Sequence, residues 1–472
     1  MTDTRASRAV AVPTGDGGDA PVDRRAPARR SRAGRIARLA TVAAVVGLAL
    51  GRFVLGPGDA GTGQAATQAE APADPSAVVN QLEAATRARP DDAAGWQRLG
   101  VAYVGRAAQT GDPTFTDLAA RAFDRADALA PQDFITLIGR GSLALSLHQF
   151  PDALELGRQA HEAAPFSAEA LGVLVDAQVE LGDYDAAAAD LQRMLDVDPG
   201  LPALSRASYL RELNGDLPGA IRAMQQAGIA GSFNSYDVAS VQALLGRLHF
   251  HNGDLEAAAS ALDRAEGALP GGVDAAIGRA RLVAARGDVD AAVDELAPVV
   301  ERTPRPDAAI LLAELARAAG RDEQAADAEA LVRTLLTLQA ASGQDVDLEL
   351  AVFEADRAER PDEAVRLARD AYDARPDNVF AADALAWSLH RGGDSAGAVR
   401  YAERAVRLDT ADPLIHFHAA SVFAGAGDDD RAREHLERVR SLTPWFSFAY
   451  LDEAGALADR LGVDAPAAWE RR

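Results

Sequence analysis

One short motif in the chain has the residue types of a nucleophilic enzyme. Residues 393–397 (Gly-Asp-Ser-Ala-Gly) match the G-x-S-x-G pattern, in which a serine nucleophile stands on a sharp turn between a strand and a helix. The residues before this match, 384–390, have the pattern of a helix instead. We therefore interpret the match as a coincidence within a turn, and a hydrolase that uses Ser395 is the last of the alternatives considered.

The histidines do not follow a metal-binding pattern. His161 and Glu162 begin like a zinc-protease motif, but Pro165 stands where the second histidine belongs. Two pairs of histidines are two residues apart, and on a helix such side chains face different ways. These pairs are His249 with His251 and His416 with His418. Residues 56–61 match the spacing of a dinucleotide-binding loop without a strand before it. We predict no catalytic residue, no metal and no cofactor.

The composition excludes further classes of protein. The 472 residues include no cysteine, and all 48 basic side chains are arginines. Thiolate metal sites, P-loops and Schiff-base enzymes are therefore excluded. The net charge of −23 argues against a general nucleic-acid-binding protein, which needs cations to neutralise phosphates.

An apolar stretch separates two regions of opposite charge. Residues 1–38 carry nine arginines and four aspartates, a net charge of +5, which leaves −28 for residues 39–472. Residues 36–57 are long enough to span a bilayer if Arg38 and Arg52 reach the headgroups. Because arginines precede this stretch, the positive-inside rule predicts a cytoplasmic N-terminus and an exported acidic part.

Two other interpretations of the apolar stretch stay open. A cleaved secretory signal fits the 13 uncharged residues 39–51, and residues 63–65 (Gly-Gln-Ala) are an acceptable cleavage site. The mature chain would then be secreted. The third interpretation is a chain that stays in the cytoplasm. We prefer a single-pass membrane anchor because the preceding basic region is long for a signal peptide.

Prolines recur at intervals close to one or two units of 34 residues. They are Pro131, Pro165, Pro199, Pro270, Pro304, Pro376 and Pro444. A Gly-Asp pair lies midway between several of them, as at residues 182–183 and 287–288. Because glycine and proline both end helices, each interval predicts a helix, a tight turn, a second helix and a stop.

An alanine occupies the same place in the second helix of every unit. The ten positions are Ala119, Ala153, Ala187, Ala220, Ala258, Ala292, Ala325, Ala364, Ala398 and Ala432. Two antiparallel helices approach most closely beside the turn that joins them, and only a small side chain fits there. We therefore expect these alanines to be buried between the two helices of each unit.

These features together resemble the tetratricopeptide repeat family, most closely its bacterial, membrane-anchored members. Residues 96–103 match the family pattern W-x2-L-G-x2-Y in full, and the second-helix pattern recurs, as in Ala187, Leu191 and Met194. The resemblance covers roughly residues 76–444. It implies an all-α solenoid of about ten helix–turn–helix units, preceded here by an N-terminal transmembrane helix. It also implies that the first helices line a concave face that binds peptides or helices.

This interpretation divides the chain into five parts. We expect a disordered basic cytoplasmic tail in residues 1–35, a transmembrane or signal-anchor helix in 36–57, a flexible linker in 58–75, the superhelix in 76–445, and a C-terminal capping helix and tail in 446–472. We also expect a lone leading helix in 77–90, a closing helix in 446–461, and two irregularities. The first unit has extra residues in its turn near 109–114, and the seventh has a longer helix or a break in 331–343.

In the last three units, aromatic and cationic side chains are expected to face outward from the first helices. They are Phe353, Arg357, Phe380, Trp387, His390, Arg391 and Phe417. Because aromatic residues and arginine are enriched at the centres of interfaces, we predict a groove there that binds a peptide or a helix. The alternative is that several of these side chains are buried between neighbouring units.

The sequence therefore predicts a scaffold without enzymatic activity that binds protein partners on the extracytoplasmic side of a membrane. The partners are proteins or peptides and not nucleic acid. The first alternative, which the resemblance implies, is an exported assembly factor or chaperone for a metalloprotein or cytochrome.

Overall fold

The computed structural model describes residues 75–231 and 234–470, and this part of the chain is all-α. Its α-helices are α1 (Pro75–Ala88), α2 (Ala93–Thr110), α3 (Thr114–Leu129), α4 (Phe134–Ser146), α5 (Phe150–Ala163), α6 (Ala168–Leu181), α7 (Tyr184–Val197), α8 (Leu201–Leu213), α9 (Leu217–Ala230), α10 (Ser235–His251), α11 (Leu255–Ala268), α12 (Val273–Ala285), α13 (Val289–Arg302), α14 (Pro306–Ala318), α15 (Asp322–Ala341), α16 (Asp347–Arg357), α17 (Pro361–Ala374), α18 (Val379–Arg391), α19 (Ser395–Ala405), α20 (Pro413–Gly425), α21 (Asp429–Leu442) and α22 (Leu451–Leu461). A short 3-10 helix covers Ala467–Trp469.

Three predicted parts lie wholly or almost wholly outside the described residues. They are the basic tail (1–35), the transmembrane helix (36–57) and the linker (58–75), of which only the last residue is described. These assignments stay predictions. Among the helices that the structure describes, none is both long enough and apolar enough to cross a membrane.

Helices α2 to α21 form ten antiparallel hairpins in the described part of the chain. In each hairpin a first helix leads through a short turn to a second helix, and each hairpin packs against the next one. The first helices also contact one another, as α18 contacts both α16 and α20. The leading helix α1 packs on α2, and α22 packs on α21. The predicted all-α repeat fold is confirmed.

The recurring alanines lie where the two helices of each hairpin meet. All ten have an exposed fraction of 0%. In several hairpins the turn before the alanine reverses the chain with a glycine and an aspartate. Gly182 has a φ of 84°, and the Asp183 side chain caps α7 by accepting a hydrogen bond from the backbone N–H of Ala186 at 3.3 Å. The glycine permits the left-handed turn, and the aspartate satisfies a helix N–H that has no partner within the helix.

Two hairpins depart from the common length. The second helix of the seventh hairpin, α15, has 20 residues where most second helices have 14, so the prediction of a longer helix over 331–343 is confirmed. In the first hairpin, the extra residues mainly lengthen α2, which has 18 residues and ends at Thr110. The turn itself is residues 111–113, so most of the extra residues lie in the helix and not in the turn as expected.

The solenoid completes a turn after six hairpins, so the later hairpins stack on the earlier ones. The turn of the second hairpin meets the loop before the eighth, where the N–H of Asp345 donates to the carbonyl oxygen of Leu147 at 3.0 Å. The turn of the third hairpin meets the loop before the ninth, where Nδ2 of Asn378 donates to the carbonyl oxygen of Glu180 at 2.9 Å. These polar contacts join the first superhelical turn to the second.

Stacking explains why a turn glycine cannot carry a side chain. A Cβ atom added to Gly182 would lie 2.2 Å from the carbonyl carbon of Asp377, and one added to Gly215 would lie 2.5 Å from the carbonyl oxygen of Asp409. Both distances are well inside van der Waals contact. The same glycines therefore permit the hairpin turn and the close approach of the next superhelical turn.

We predict that Ala187→Leu destabilises the protein and that Ala188→Leu does not. Ala187 is fully buried in the hairpin contact, whereas its neighbour on the same helix is not part of that core. Overpacking a filled core costs about 1–3 kcal/mol, and leucine outside the core is a good helix former. Thermal unfolding followed by circular dichroism measures both variants, and equal melting temperatures would contradict the close-packed hairpin.

We predict that Asn378→Asp weakens the contact between the superhelical turns. Asn378 caps α18 by accepting from the N–H groups of Phe380 and Ala381, both at 2.9 Å. Aspartate caps equally well, but it cannot donate to the carbonyl of Glu180. The free energy of unfolding should fall by ~1–3 kcal/mol, the cost of a buried acceptor without its partner.

The matched control is Asp394→Asn, which exchanges the same two residue types at the exposed cap of α19. Its stability should stay within a few tenths of a kcal/mol, because both residues are good N-caps. Denaturant unfolding of the three proteins gives the comparison. A loss of the same size in both variants would show that capping, and not stacking, is what Asn378 contributes.

Candidate binding site

The first helices of both superhelical turns enclose an inner cavity of about 340 Å³. Apolar side chains that border it include Phe250, Ile277, Phe380, Leu414 and Phe446. An α-helix with its side chains is about 10–12 Å across, and pockets for small ligands have volumes of roughly 300–1,000 Å³. The inner cavity therefore has the volume of a small-ligand pocket.

Buried ion pairs stand beside the apolar lining. Arg247 donates two hydrogen bonds to Glu212, at 2.6 and 2.7 Å. Burial alone would raise the pKa of Glu212. Arg247 and His251 together have a larger, opposite effect and lower the pKa to about 2. At Glu180 burial dominates and raises the pKa to about 7, although Arg375, 3.3 Å away on the other superhelical turn, opposes this. Because removing one partner of a buried pair leaves an uncompensated charge, these pairs fix the arrangement of the lining.

The seven predicted site residues do not form an open groove. Phe353, Trp387 and Phe417 have exposed fractions of 0%, 0% and 1%, which corrects the expectation that they face outward. These three rings are buried inside the repeat array, which is the alternative given with the sequence prediction. Phe380 is half-buried and borders the inner cavity. Its contact with a partner stays a prediction.

A segment of the chain itself fills the space where the groove was predicted. This C-terminal segment, residues 443–450, has the sequence Thr-Pro-Trp-Phe-Ser-Phe-Ala-Tyr. The Tyr450 ring meets the Trp387 ring edge-on, with centroids 5.5 Å apart, and lies 5.2 Å from Phe417. Phe446 lies 4.8 Å from Phe417 on another side. Two of the predicted aromatic residues, Trp387 and Phe417, therefore pack against an aromatic segment of the chain itself.

Two buried carboxylates hold the C-terminal segment in place. Asp356 accepts hydrogen bonds from Nε1 of Trp387 at 2.7 Å and from the hydroxyl of Tyr450. Glu314 accepts from Oγ of Ser447 at 2.7 Å and from the backbone N–H of Ala449 at 3.1 Å. Because this segment is held in a non-helical course, the closing helix begins at residue 451 and not at 446 as expected. The dense aromatic run at 445–450 was the available signal in the sequence.

We call the cluster of Trp387, Phe417, Phe446 and Tyr450 the aromatic core. The remaining predicted residues are His390, Arg391 and Arg357. His390 and Arg391 lie against the Trp387 ring, at 5.4 and 5.2 Å from its centroid. Arg357 forms an ion pair with buried Glu329. His390 and Arg391 therefore contact the aromatic core, and none of these three side chains borders the inner cavity with Phe380.

Ser395 lies in a hairpin turn and not on a nucleophile elbow. The residues before the turn form helix α18, and Ser395 is the first residue of α19. Its Oγ lies 3.0 Å from Nδ1 of His390. Because the G-x-S-x-G elbow requires a strand before the serine, the hydrolase alternative is wrong.

The histidine pairs on helices contact separate neighbours, as their spacing predicts. Nδ1 of His416 lies 3.0 Å from Nδ1 of His435, whereas Nδ1 of His418 lies 2.9 Å from Oδ2 of Asp383. Burial and the neighbouring His435 lower the pKa of His416 to about 4. In the described ranges, no three side chains of the types that ligate metals come together.

We predict that Trp387→Ala destabilises the protein by ~3–5 kcal/mol, the usual cost of truncating a buried aromatic residue to alanine. Phe166→Ala is the control, because Phe166 is an aromatic residue with an exposed fraction of 85%. Denaturant unfolding measures both variants. If Trp387→Ala were as stable as the wild type, the aromatic core would not be a structural element, and the ring would be free to bind a partner.

Comparison with solved structures finds several repeat proteins with low sequence identity. A thermophilic tetratricopeptide repeat protein from Thermus thermophilus is 23% identical, covers 41% of this chain and 98% of its own, and has a TM-score of 0.36. A tetratricopeptide repeat protein from Parabacteroides merdae is 18% identical, with coverages of 51% and 93% and a TM-score of 0.32. The Cut9–Hcn1 hetero-tetramer of the APC/C is 13% identical, with coverages of 82% and 93% and a TM-score of 0.37.

The comparison with curated proteins finds no match. Two family models, both described as tetratricopeptide repeat, match the chain. One matches residues 249–315, and the other matches residues 138–202, 173–235, 214–273, 350–413 and 384–444. The matched residues make up more than half of the chain, and the hairpins that they cover have the buried alanines described above. The chain belongs to the tetratricopeptide repeat family.

Proposed function

We propose that this protein is a membrane-anchored tetratricopeptide scaffold that binds a protein partner on the extracytoplasmic side of the membrane. An array of hairpins presents the same structural position once per unit, which suits the binding of a protein over several units. The proposal rests above all on one observation, a row of exposed apolar side chains near the C-terminal ends of the second helices in three consecutive hairpins.

The exposed row consists of Phe166, Val197 and Ile229, whose exposed fractions are 85%, 41% and 85%. They lie at or just after the ends of α5, α7 and α9, the second helices of the second, third and fourth hairpins. Large apolar side chains are usually buried, and exposed apolar surface on neighbouring hairpins is typical of an interaction site. We place the partner there because the C-terminal segment fills the groove predicted from the sequence.

We predict that the double variant Phe166→Asp, Ile229→Asp loses its partner while it stays folded. Both side chains are exposed, so the substitutions remove apolar contact area without opening the core. The control is Leu338→Asp, an apolar residue with an exposed fraction of 49% on α15 in the second superhelical turn. Affinity capture from solubilised membranes with quantitative mass spectrometry measures the result. Equal recovery of the same partners by the double variant and the wild type would contradict the exposed row as the binding site.

The anchor is supported by the sequence of residues 36–57 and by the arginines that precede it. Confinement to a membrane raises the effective concentration of the scaffold for partners in the same membrane. The absence of cysteine from the chain provides a direct test of this topology, because any thiol introduced is the only one.

We predict opposite labelling of two single-cysteine variants in intact cells by a membrane-impermeant maleimide. Phe166→Cys lies in the repeat array and should react at once, whereas Ser7→Cys lies in the basic tail and should react only after lysis. Labelling of both variants in intact cells would indicate secretion of the whole chain. Labelling of neither would place the repeat array in the cytoplasm, and both results would contradict the proposed anchor.

A further inference from the structure

Three exposed arginines form a row on the ninth hairpin. Arg400 and Arg404 lie on α19, and Arg407 lies in the turn that follows it. Side chains three or four residues apart on a helix share one face. With a rise of 1.5 Å per residue, these three side chains, which we call the arginine row, extend over roughly 10 Å.

The arginine row has no carboxylate partner. Within the described residues, no carboxylate oxygen lies within 4.0 Å of any of its guanidinium groups. The acids beside the row in the sequence pair with arginines of α21 instead. Glu403 contacts Arg431 at 2.6 Å, and Asp409 contacts Arg438 at 3.4 Å. Three cations therefore stay uncompensated in a chain that has 71 acidic and 48 basic side chains.

Arg366 shows the opposite arrangement one hairpin earlier. It lies 34 residues before Arg400, which is the length of one unit. Its exposed guanidinium pairs with Glu363 at 2.9 Å and with Asp370 at 2.7 Å. Two acids therefore neutralise the arginine at the equivalent position, and the lack of such acids is particular to the ninth hairpin.

Aromatic rings hold two of the guanidinium groups in place. Arg400 lies over the ring of Tyr401, 4.5 Å from its centroid, and Arg404 lies over Tyr372 at 5.9 Å. Each arginine also donates a hydrogen bond to the hydroxyl of the same tyrosine. Both rings are buried and meet edge-on, with centroids 5.0 Å apart. Ring faces and neutral hydroxyls orient a guanidinium without neutralising it, so a ligand would lose less entropy in binding it.

Arg407 joins the row to the first superhelical turn. Its guanidinium lies 5.1 Å from the centroid of Tyr184 on α7 and donates to the backbone carbonyl of Asp377 at 2.7 Å. Neither partner carries a charge that compensates the arginine. The arginine row is therefore ordered by contacts with both superhelical turns, and each member keeps its positive charge.

We propose that the arginine row binds an acidic segment of a protein partner, whose carboxylates pair with the three guanidinium groups. Side chains three residues apart in an extended peptide are about 10 Å apart, so four acidic residues match the length of the row. Arginine binds a carboxylate through two parallel hydrogen bonds. This site is separate from the exposed apolar row of the first superhelical turn, and it does not depend on the scaffold function or the membrane anchor.

The surroundings of the arginine row favour a short segment over a larger polyanion. Glu403 and Asp409 are exposed beside the row, and residues 39–472 carry a net charge of −28. A nucleic acid or an anionic bilayer would bring phosphates close to these acids as well, and like charges repel. A short acidic segment can place its carboxylates on the arginines alone.

The test measures binding of a fluorescent peptide with four consecutive glutamates, Gly-Ser-Glu-Glu-Glu-Glu-Ser-Gly, to the purified full-length chain. The control peptide has four glutamines in their place. Fluorescence anisotropy should show binding of the glutamate peptide, and this binding should weaken as sodium chloride screens the charges. No detectable binding, or equal binding of the glutamine peptide, would overturn the proposal.

The decisive variant is Arg400→Gln with Arg404→Gln, and its matched control is Arg87→Gln with Arg366→Gln. Both variants lose two positive charges from exposed helix positions, and glutamine is a good helix former. The control arginines each pair with a glutamate of their own helix, at 3.3 and 2.9 Å. The decisive variant should bind the glutamate peptide about tenfold more weakly, the combined effect of two exposed ion pairs. The control variant should bind it nearly as well as the wild type.

Equal affinities of the two variants would place the peptide on another surface, such as the basic residues 1–38, and would overturn the proposal. Circular dichroism should show that both variants fold, because the substituted side chains are exposed. Competition tests the other anions. Displacement of the peptide by an eight-nucleotide oligothymidylate or by glycerol phosphate, at lower concentration than by unlabelled peptide, would overturn the proposal in favour of a nucleic acid or a lipid headgroup.

Discussion

The close approach of two helices beside each hairpin turn is the constraint on which the rest of this structure depends. Only a side chain as small as alanine fits there, and the ten alanines at this position have no exposed surface. Hairpins with the same tight contact repeat the same small rotation. Six of them complete a superhelical turn, so the third hairpin meets the loop before the ninth. Stacking of the superhelical turns is therefore a consequence of hairpin packing, and Gly182 provides the clearance that it needs.

Stacking also decides what the inner surface can bind. The first helices of the two superhelical turns face one another across an inner cavity of about 340 Å³. The C-terminal segment, residues 443–450, takes up the remaining space near the last hairpins. Tyr450 and Trp387 share the carboxylate of Asp356 as a hydrogen-bond acceptor, so the groove residues are part of the folded core. The proposed partner surface therefore lies on the outside of the solenoid.

The fold could be predicted from the sequence because its causes are local. The residues of one unit contain the Gly-Asp turn, the small residue five positions after the turn glycine and the proline stop, as in Gly182, Asp183 and Ala187. The candidate site could not be predicted in the same way. Helical register placed Trp387 on the face turned away from the hairpin partner, but it does not show that Tyr450 packs against that ring and buries it. Likewise, Arg247 and Asp412 come together only because six hairpins complete a turn, and no pattern within one unit encodes that number.

The loops that stack within the chain are polar, whereas the loop edge of the first superhelical turn carries exposed apolar side chains. The difference follows from whether the contact is made within one chain or with a separate protein. Where hairpins stack within the chain, the loops are polar and contribute single hydrogen bonds, such as those of Asp345 and Asn378. The covalent chain already supplies a high effective concentration for that contact, so weak polar bonds suffice. A separate protein loses translational and rotational freedom when it binds, and this cost needs buried apolar area to offset it. The loop edge of the first turn, which carries exposed Phe166 and Ile229, has the composition that such a contact requires.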